Sequence, residues 1–117
     1  MTPAAIATYC KTLPHATCVV QWEGVQVFKV GGKMYATFAL EGEHGLAFKC
    51  SAEEFEELIE RPGIIPAPYL ARAKWIALEH ESAIPRAELK QRINRSYELV
   101  KAGLTKKAQA ELGKKKR

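Results

Sequence analysis

An α+β fold in two layers, with an antiparallel sheet of about five strands and helices packed on one face, follows from three observations. Residues 18–40, "CVVQWEGVQVFKVGGKMYATFAL", set β-branched and aromatic residues between two glycine-bearing turn signals, Glu23-Gly24 and Gly31-Gly32. Residues 51–61, "SAEEFEELIER", and 85–103, "PRAELKQRINRSYELVKAG", carry apolar residues at helical spacing. The resulting order of helix, four strands, helix, strand, helix, helix suits an antiparallel sheet covered on one side.

Each element has its own local cause. Thr2 and Pro3 provide a cap and a first-turn residue, and Ile6, Tyr9, Cys10 and Leu13 recur at helical spacing before Pro14, so the first helix is expected over residues 3–12. Three strands follow through the two glycine turns, and "EGEHG", residues 41–45, leads into a fourth strand, "LAFKC". Ser51 with Glu54 three residues on forms a capping box for the second helix, with Phe55, Leu58 and Ile59 as its buried stripe. Pro62-Gly63 stops that helix. From Ala73, "AKWIALEH" reads as a fifth strand that points Ile76 and Leu78 one way and Trp75 and Ala77 the other. Pro85 opens a third helix with the stripe Leu89, Ile93, Ser96, Tyr97 and Val100, closed by Gly103. A short last helix is expected from a Thr105 cap to Leu112. The chain divides into a single domain over residues 1–104 and a short helix with a basic tail over 105–117.

At 117 residues the sequence supports one core and not two. An apolar content of 47% and a charged content of 26% are globular values, and no apolar run reaches membrane-spanning length. The opening residues lack the pattern of a secretory signal, and a cytoplasmic, monomeric protein is expected. Cys10, Cys18 and Cys50 are odd in number and widely spaced, and read as small buried residues rather than as disulfide or zinc ligands.

Catalytic and metal constellations are missing from the sequence. His15, His44 and His80 are not paired at helical spacing, Asp is absent, and Val27 stands where a phosphate-cradling GxxxxGK ending at Gly32-Lys33 would need glycine. Neither enzymatic activity, a cofactor nor a metal is expected.

The net charge of +5 is unevenly placed. Residues 1–100 hold 11 Lys and Arg against 12 Glu, whereas residues 101–117 hold 7 against one. The terminal "GKKKR" run is a solubilising tail or a phosphate-seeking arm.

"VFKVGGKMYATF", "RPGIIPAPYLARAKWIAL" and "INRSYELVKAGLTKK" together resemble the YjbR/MmcQ family of small bacterial proteins. In that family a lysine-bearing hairpin turn, a Pro-rich segment leading to tryptophan and a Ser-Tyr pair on a late helix recur in this order. The likeness spans residues 3–107. It implies a single α+β domain, no enzyme activity, no cofactor and a proposed DNA-binding role in which β-hairpins touch the duplex.

Two functional readings follow. If Met34, Phe38, Leu46, Phe48 and Ile76 face the helices, alternation puts Lys29, Lys33, Tyr35, Lys49 and Trp75 on the open face, a mixture of cations and rings able to meet phosphates and bases. With Lys106, Lys107, Lys114, Lys115, Lys116 and Arg117 in the tail, these residues make a candidate surface for DNA, read through its backbone with little sequence preference. The lysines can equally serve solubility alone. Glu41 and Glu43 disfavour the "EGEHG" tip, and "VGGKM" is the better candidate. The alternative partner is a protein or small ligand held around Pro66, Pro68, Tyr69, Arg72 and Trp75. The same segment also reads as a structural cover, in which Ile64, Ile65, Tyr69 and Leu70 pack over the sheet edge.

Overall fold

A computed structural model describes residues 3–21, 24–39, 45–68 and 70–114. Helix α1 (Pro3–Thr12) leads into strands β1 (Ala16–Gln21), β2 (Val25–Val30), β3 (Lys33–Ala39) and β4 (Leu46–Lys49). Helix α2 (Ala52–Leu58), strands β5 (Ile64–Pro66) and β6 (Trp75–Leu78), and helices α3 (Arg86–Ala102) and α4 (Lys106–Lys114) follow. The strands form one sheet in the order β1-β2-β3-β4-β6-β5, and every neighbouring pair is antiparallel. The sheet therefore has six strands rather than five. The extra one is β5, drawn from the Pro-rich crossing: its three residues are too few to show alternation, and Pro66, which has no N–H to give, is tolerated on an edge.

All four helices put side chains into one core on one side of the sheet. Ile6 and Cys10 of α1, Phe55 and Leu58 of α2, the α3 stripe and Leu112 of α4 meet Phe28, Phe38, Leu46, Phe48, Ile76 and Leu78 of the strands. Along α3 the buried residues are Leu89, Ile93, Ser96, Tyr97 and Val100, the stripe expected from spacing. The α2 capping box is formed: Glu54 N–H donates to Ser51 Oγ and Ser51 N–H to Glu54 Oε1, both at 3.1 Å.

The face assignment within β3 requires correction. Phe28 pairs with Ala36, but Lys29 pairs with Met34, so Tyr35 is an extra residue in β3, a β-bulge. The bulge reverses alternation on its N-terminal side. Tyr35 turns under the helices and is fully buried, while Met34 joins the opposite face. The Tyr35 ring stands edge-on to Tyr97 at 5.5 Å, and its hydroxyl donates to the Cys10 carbonyl at 2.9 Å. Burial pushes the Cys10 thiol up to about 12 and raises the Tyr35 phenol, so both are neutral.

A bulge leaves backbone groups without ladder partners, and α3 supplies one. The buried Ser96 hydroxyl donates to the Tyr35 carbonyl at 2.6 Å and accepts the Lys49 N–H at 3.0 Å, joining β3, β4 and α3 through one oxygen. Next to it, Tyr97 Oη donates to the Pro14 carbonyl at 2.6 Å and ties α3 to the end of α1.

Ion pairs hold α2 against α3. Arg92 reaches Glu54 at 2.9 Å, Glu57 at 3.1 Å and Glu88 at 3.0 Å, and Arg61 meets both oxygens of Glu88 at 2.7 and 3.0 Å. Hydrogen bonding from Arg61, then from Arg92, outweighs the cost of desolvation and holds the Glu88 carboxyl down at about 2.

Two predictions follow from this packing. Ser96→Ala leaves the Tyr35 carbonyl and the Lys49 N–H without their shared partner and should cost roughly 2–3 kcal/mol, read from urea unfolding. Because the folded-state pKa of Glu88 is depressed, its contribution is present in full above the ordinary carboxylate range and is lost as pH falls from about 4.5 through about 2. Replacing it in Glu88→Gln should lower stability at neutral pH and flatten the acid limb of a stability–pH curve across that window.

Candidate functional site

The two regions singled out by sequence lie on different parts of the molecule. The first is the β2–β3 hairpin tip. Gly31 and Gly32 take φ of 58° and 81°, the positive pair that a tight two-residue hairpin requires. Gly31 also faces Leu104: a Cβ built there would sit 2.5 Å from Leu104 Cδ1, whereas one on Gly32 would meet nothing within 4 Å. Leu104 is the last residue before the Thr105 cap, whose hydroxyl accepts the Ala108 N–H at 3.1 Å to start α4. The close contact brings the tip and the start of α4 to one end of the fold. Lys33 at the tip and Lys106 and Lys107 in the first turn of α4 are exposed there, and none has an ion-pair partner among the described residues. The side chain of Lys114, and Lys115, Lys116 and Arg117, lie outside the described residues.

The second region is the sheet face away from the helices. A smaller apolar cluster sits there: Ala47, Ala67, Trp75 and Ala77, with Met34, Ile65 and Leu70 packed against it. A groove of about 610 Å³ runs beside this cluster. Its floor is Val25, Met34, Thr37, Ala39, Ala47 and Ala77, from four neighbouring strands, with Gly45 just before β4. Ala67, Pro68 and Leu70 of the crossing form its wall. Small residues make up most of the floor.

The stacking platform expected on this face is not formed. Tyr35 is removed from it by the bulge, and Trp75, although on this face, is only 4% exposed. Lys29, paired with Met34, and Lys49, paired with Trp75, do lie here, both half-buried. The Lys49 ammonium donates to the Ala73 carbonyl at 2.6 Å. Of the alternative surface, Pro68 lines the groove, Pro66 is exposed at the end of β5, and Arg72 is exposed in a 3₁₀ turn. Arg72 makes no cation–ring contact with Trp75 among the described residues, where the ring-stacked cations are Lys74, Lys90 and Lys101. Tyr69, and Glu41 and Glu43 of the "EGEHG" turn, lie outside the described residues.

Sequence reasoning missed the groove floor, since Thr37, Ala39, Ala47 and Ala77 carry no chemical signature. The signal available was their small size on the face opposite the large residues of the same strands. Among the described residues, no three His, Cys or Glu side chains are grouped so as to hold a metal ion. Burial pushes the Cys50 thiol up to about 11, and it stays protonated. No helix of the described residues is long and apolar enough to cross a membrane.

These features define a two-layer α+β domain with a bulged central hairpin, a basic hairpin–helix end and an apolar open sheet face. The YjbR family profile matches residues 11–99, and the chain belongs to that family. The structure is similar to that of the Deinococcus radiodurans protein DR2400, described as a DUF419 domain, with a TM-score of 0.82 and 30% identity over 96% of this chain and 88% of that one. It also shares the fold of a Pseudomonas syringae protein, with a TM-score of 0.69 and 21% identity over 85% of this chain and 98% of that one. No match is found among the curated proteins.

The asymmetry between the tip glycines is testable. Both substitutions place a Cβ at positive φ, costing about 1 kcal/mol or more each, but only Gly31→Ala must also displace Leu104. Gly31→Ala should therefore unfold at lower urea than Gly32→Ala. Amide shifts should reach Leu104 and the first turn of α4 in the former and stay within the hairpin in the latter.

Proposed function

We propose that this protein is a non-enzymatic DNA-binding protein that contacts the phosphate backbone with little sequence preference, through the end of the fold where the β2–β3 tip meets α4. The observation that carries this reading is the packing of Gly31 on Leu104, which gathers Lys33, Lys106 and Lys107 from two distant parts of the sequence. Exposed ammonium groups on both sides of that contact suit phosphates, and a tip of two glycines lets backbone approach backbone closely. The sequence continues beyond α4 into Lys115, Lys116 and Arg117. Lys29 and Lys49, half-buried on the open face, contribute less in this reading, and Tyr35 contributes nothing.

The test is fluorescence anisotropy with duplex DNA of unrelated sequences at several salt concentrations. Each phosphate contact adds about −0.9 to the slope of log affinity against log salt, so Lys33→Gln, Lys106→Gln and Lys107→Gln together should flatten it by about 2 to 3. Charge substitution is preferable to removing α4, because Leu112 belongs to the core. An unchanged slope in the triple variant would move DNA contact elsewhere, and no binding at low salt would end the reading.

A second reading, a module for a protein or small ligand, is favoured by the groove on the open face. Its volume is in the range of small-molecule sites, and its lining is almost wholly apolar. The wall residues Ala67, Pro68 and Leu70 come from the Pro-rich segment that sequence put forward for this role.

A further inference from the structure

We propose that the open-face groove binds a small amphipathic carboxylate, an unbranched acyl chain with its carboxylate at the Lys29–Lys49 end. This rests on the second reading above and names its ligand class.

The floor decides what can lie on it. Strands β3, β4 and β6 are each paired on both sides, so they have no free backbone edge for an extended peptide to join. An occupant must gain its affinity from apolar contact. Thr37, Ala39, Ala47 and Ala77 leave a trough, and Met34 is an adaptable side chain at its border. A slim hydrocarbon fits that trough, and Trp75 on this face is itself buried and offers no open ring for stacking.

Charge then orients the occupant. Across the sheet, Lys29 stands opposite Met34 and Lys49 opposite Trp75, which puts both cations at one end of the face. The opposite end is formed by Val25, Ala39 and Gly45, and among the described residues lining it there is no cation. Lys29 has no ion-pair partner among the described residues, and the Lys49 ammonium spends one of its three donors on the Ala73 carbonyl. An anionic head at that end meets this cationic border, with the tail running toward Val25.

The experiment is calorimetric titration of the intact chain with octanoate, decanoate, decanol and decylammonium, each below its micelle concentration, alongside amide NMR shifts. Decanoate should saturate one site, with shifts at Thr37, Ala47 and Ala77, and each added methylene should tighten binding by about threefold to fourfold. Lys29→Gln should weaken decanoate by about fivefold and leave decanol unchanged. Thr37→Trp should fill the trough and abolish binding of both. If that variant fails to fold, the surface change Lys29→Gln still decides the role of the head group. Equal affinity for decanoate and decanol overturns the carboxylate assignment and leaves the groove as a ligand site. Absence of saturable binding by all four overturns the proposal and the small-ligand reading together.

Discussion

The Ser96 hydroxyl is the constraint on which the rest of the structure depends. The extra residue at Tyr35 breaks the register between β2 and β3, and a buried break of that kind persists only if the groups it leaves over find partners. One oxygen on α3 takes both, the Tyr35 carbonyl and the Lys49 N–H. The position of α3 over the sheet is thereby set at the point where β3 stops pairing with β4. Tyr97, one residue on, then fixes the neighbouring turn through Pro14 and packs its ring against Tyr35. A Ser-Tyr pair is needed because the two side chains answer different elements: the short one reaches backbone directly beneath the helix, and the long one reaches past it.

The bulge also explains where the sequence was legible and where it was not. The limits of α1 and α3, the α3 stripe, the capping box at Ser51 and the split of Trp75 and Ala77 from Ile76 and Leu78 all follow from local rules of spacing and capping, whereas α2 stops at Leu58, short of the Pro62-Gly63 signal, with Ile59 a partly buried cap. Tyr35 and Met34 were assigned to each other's faces because alternation assumes an unbroken register, and "GGKMYATF" contains nothing that marks the extra residue. The partner that stabilises it lies 61 residues away, at Ser96. Strand β5 was hidden differently: three residues ending in proline show no period, and their pairing with β6 is made by the return of the chain rather than by local preference. Within the candidate sites, the lysines were visible because charge is visible, but the tip and α4 could be joined only through the missing Cβ of Gly31.

The near-neutral count of residues 1–100 conceals a difference in use between three of the arginines and the lysines. Arg61, Arg92 and Arg95 are drawn into pairs with Glu54, Glu57 and Glu88, so these cations are matched between α2 and α3 and offer little to a partner. That use suits arginine, whose planar fork can serve two carboxylates at once. The lysines, by contrast, enter no ion pair among the described residues. A sum of charges treats the two alike, but a partner approaching the surface would not. The field it meets includes that of the unmatched cations at the hairpin–helix end and along one border of the open sheet face. On the open face the bulge exchanges the ring of Tyr35 for Met34, and the recess is left by Thr37, Ala39, Ala47 and Ala77. A polyanion follows exposed charge and a hydrocarbon chain a recess that small side chains leave open, and the two readings meet at Lys29, one residue pair from Lys33 at the hairpin tip.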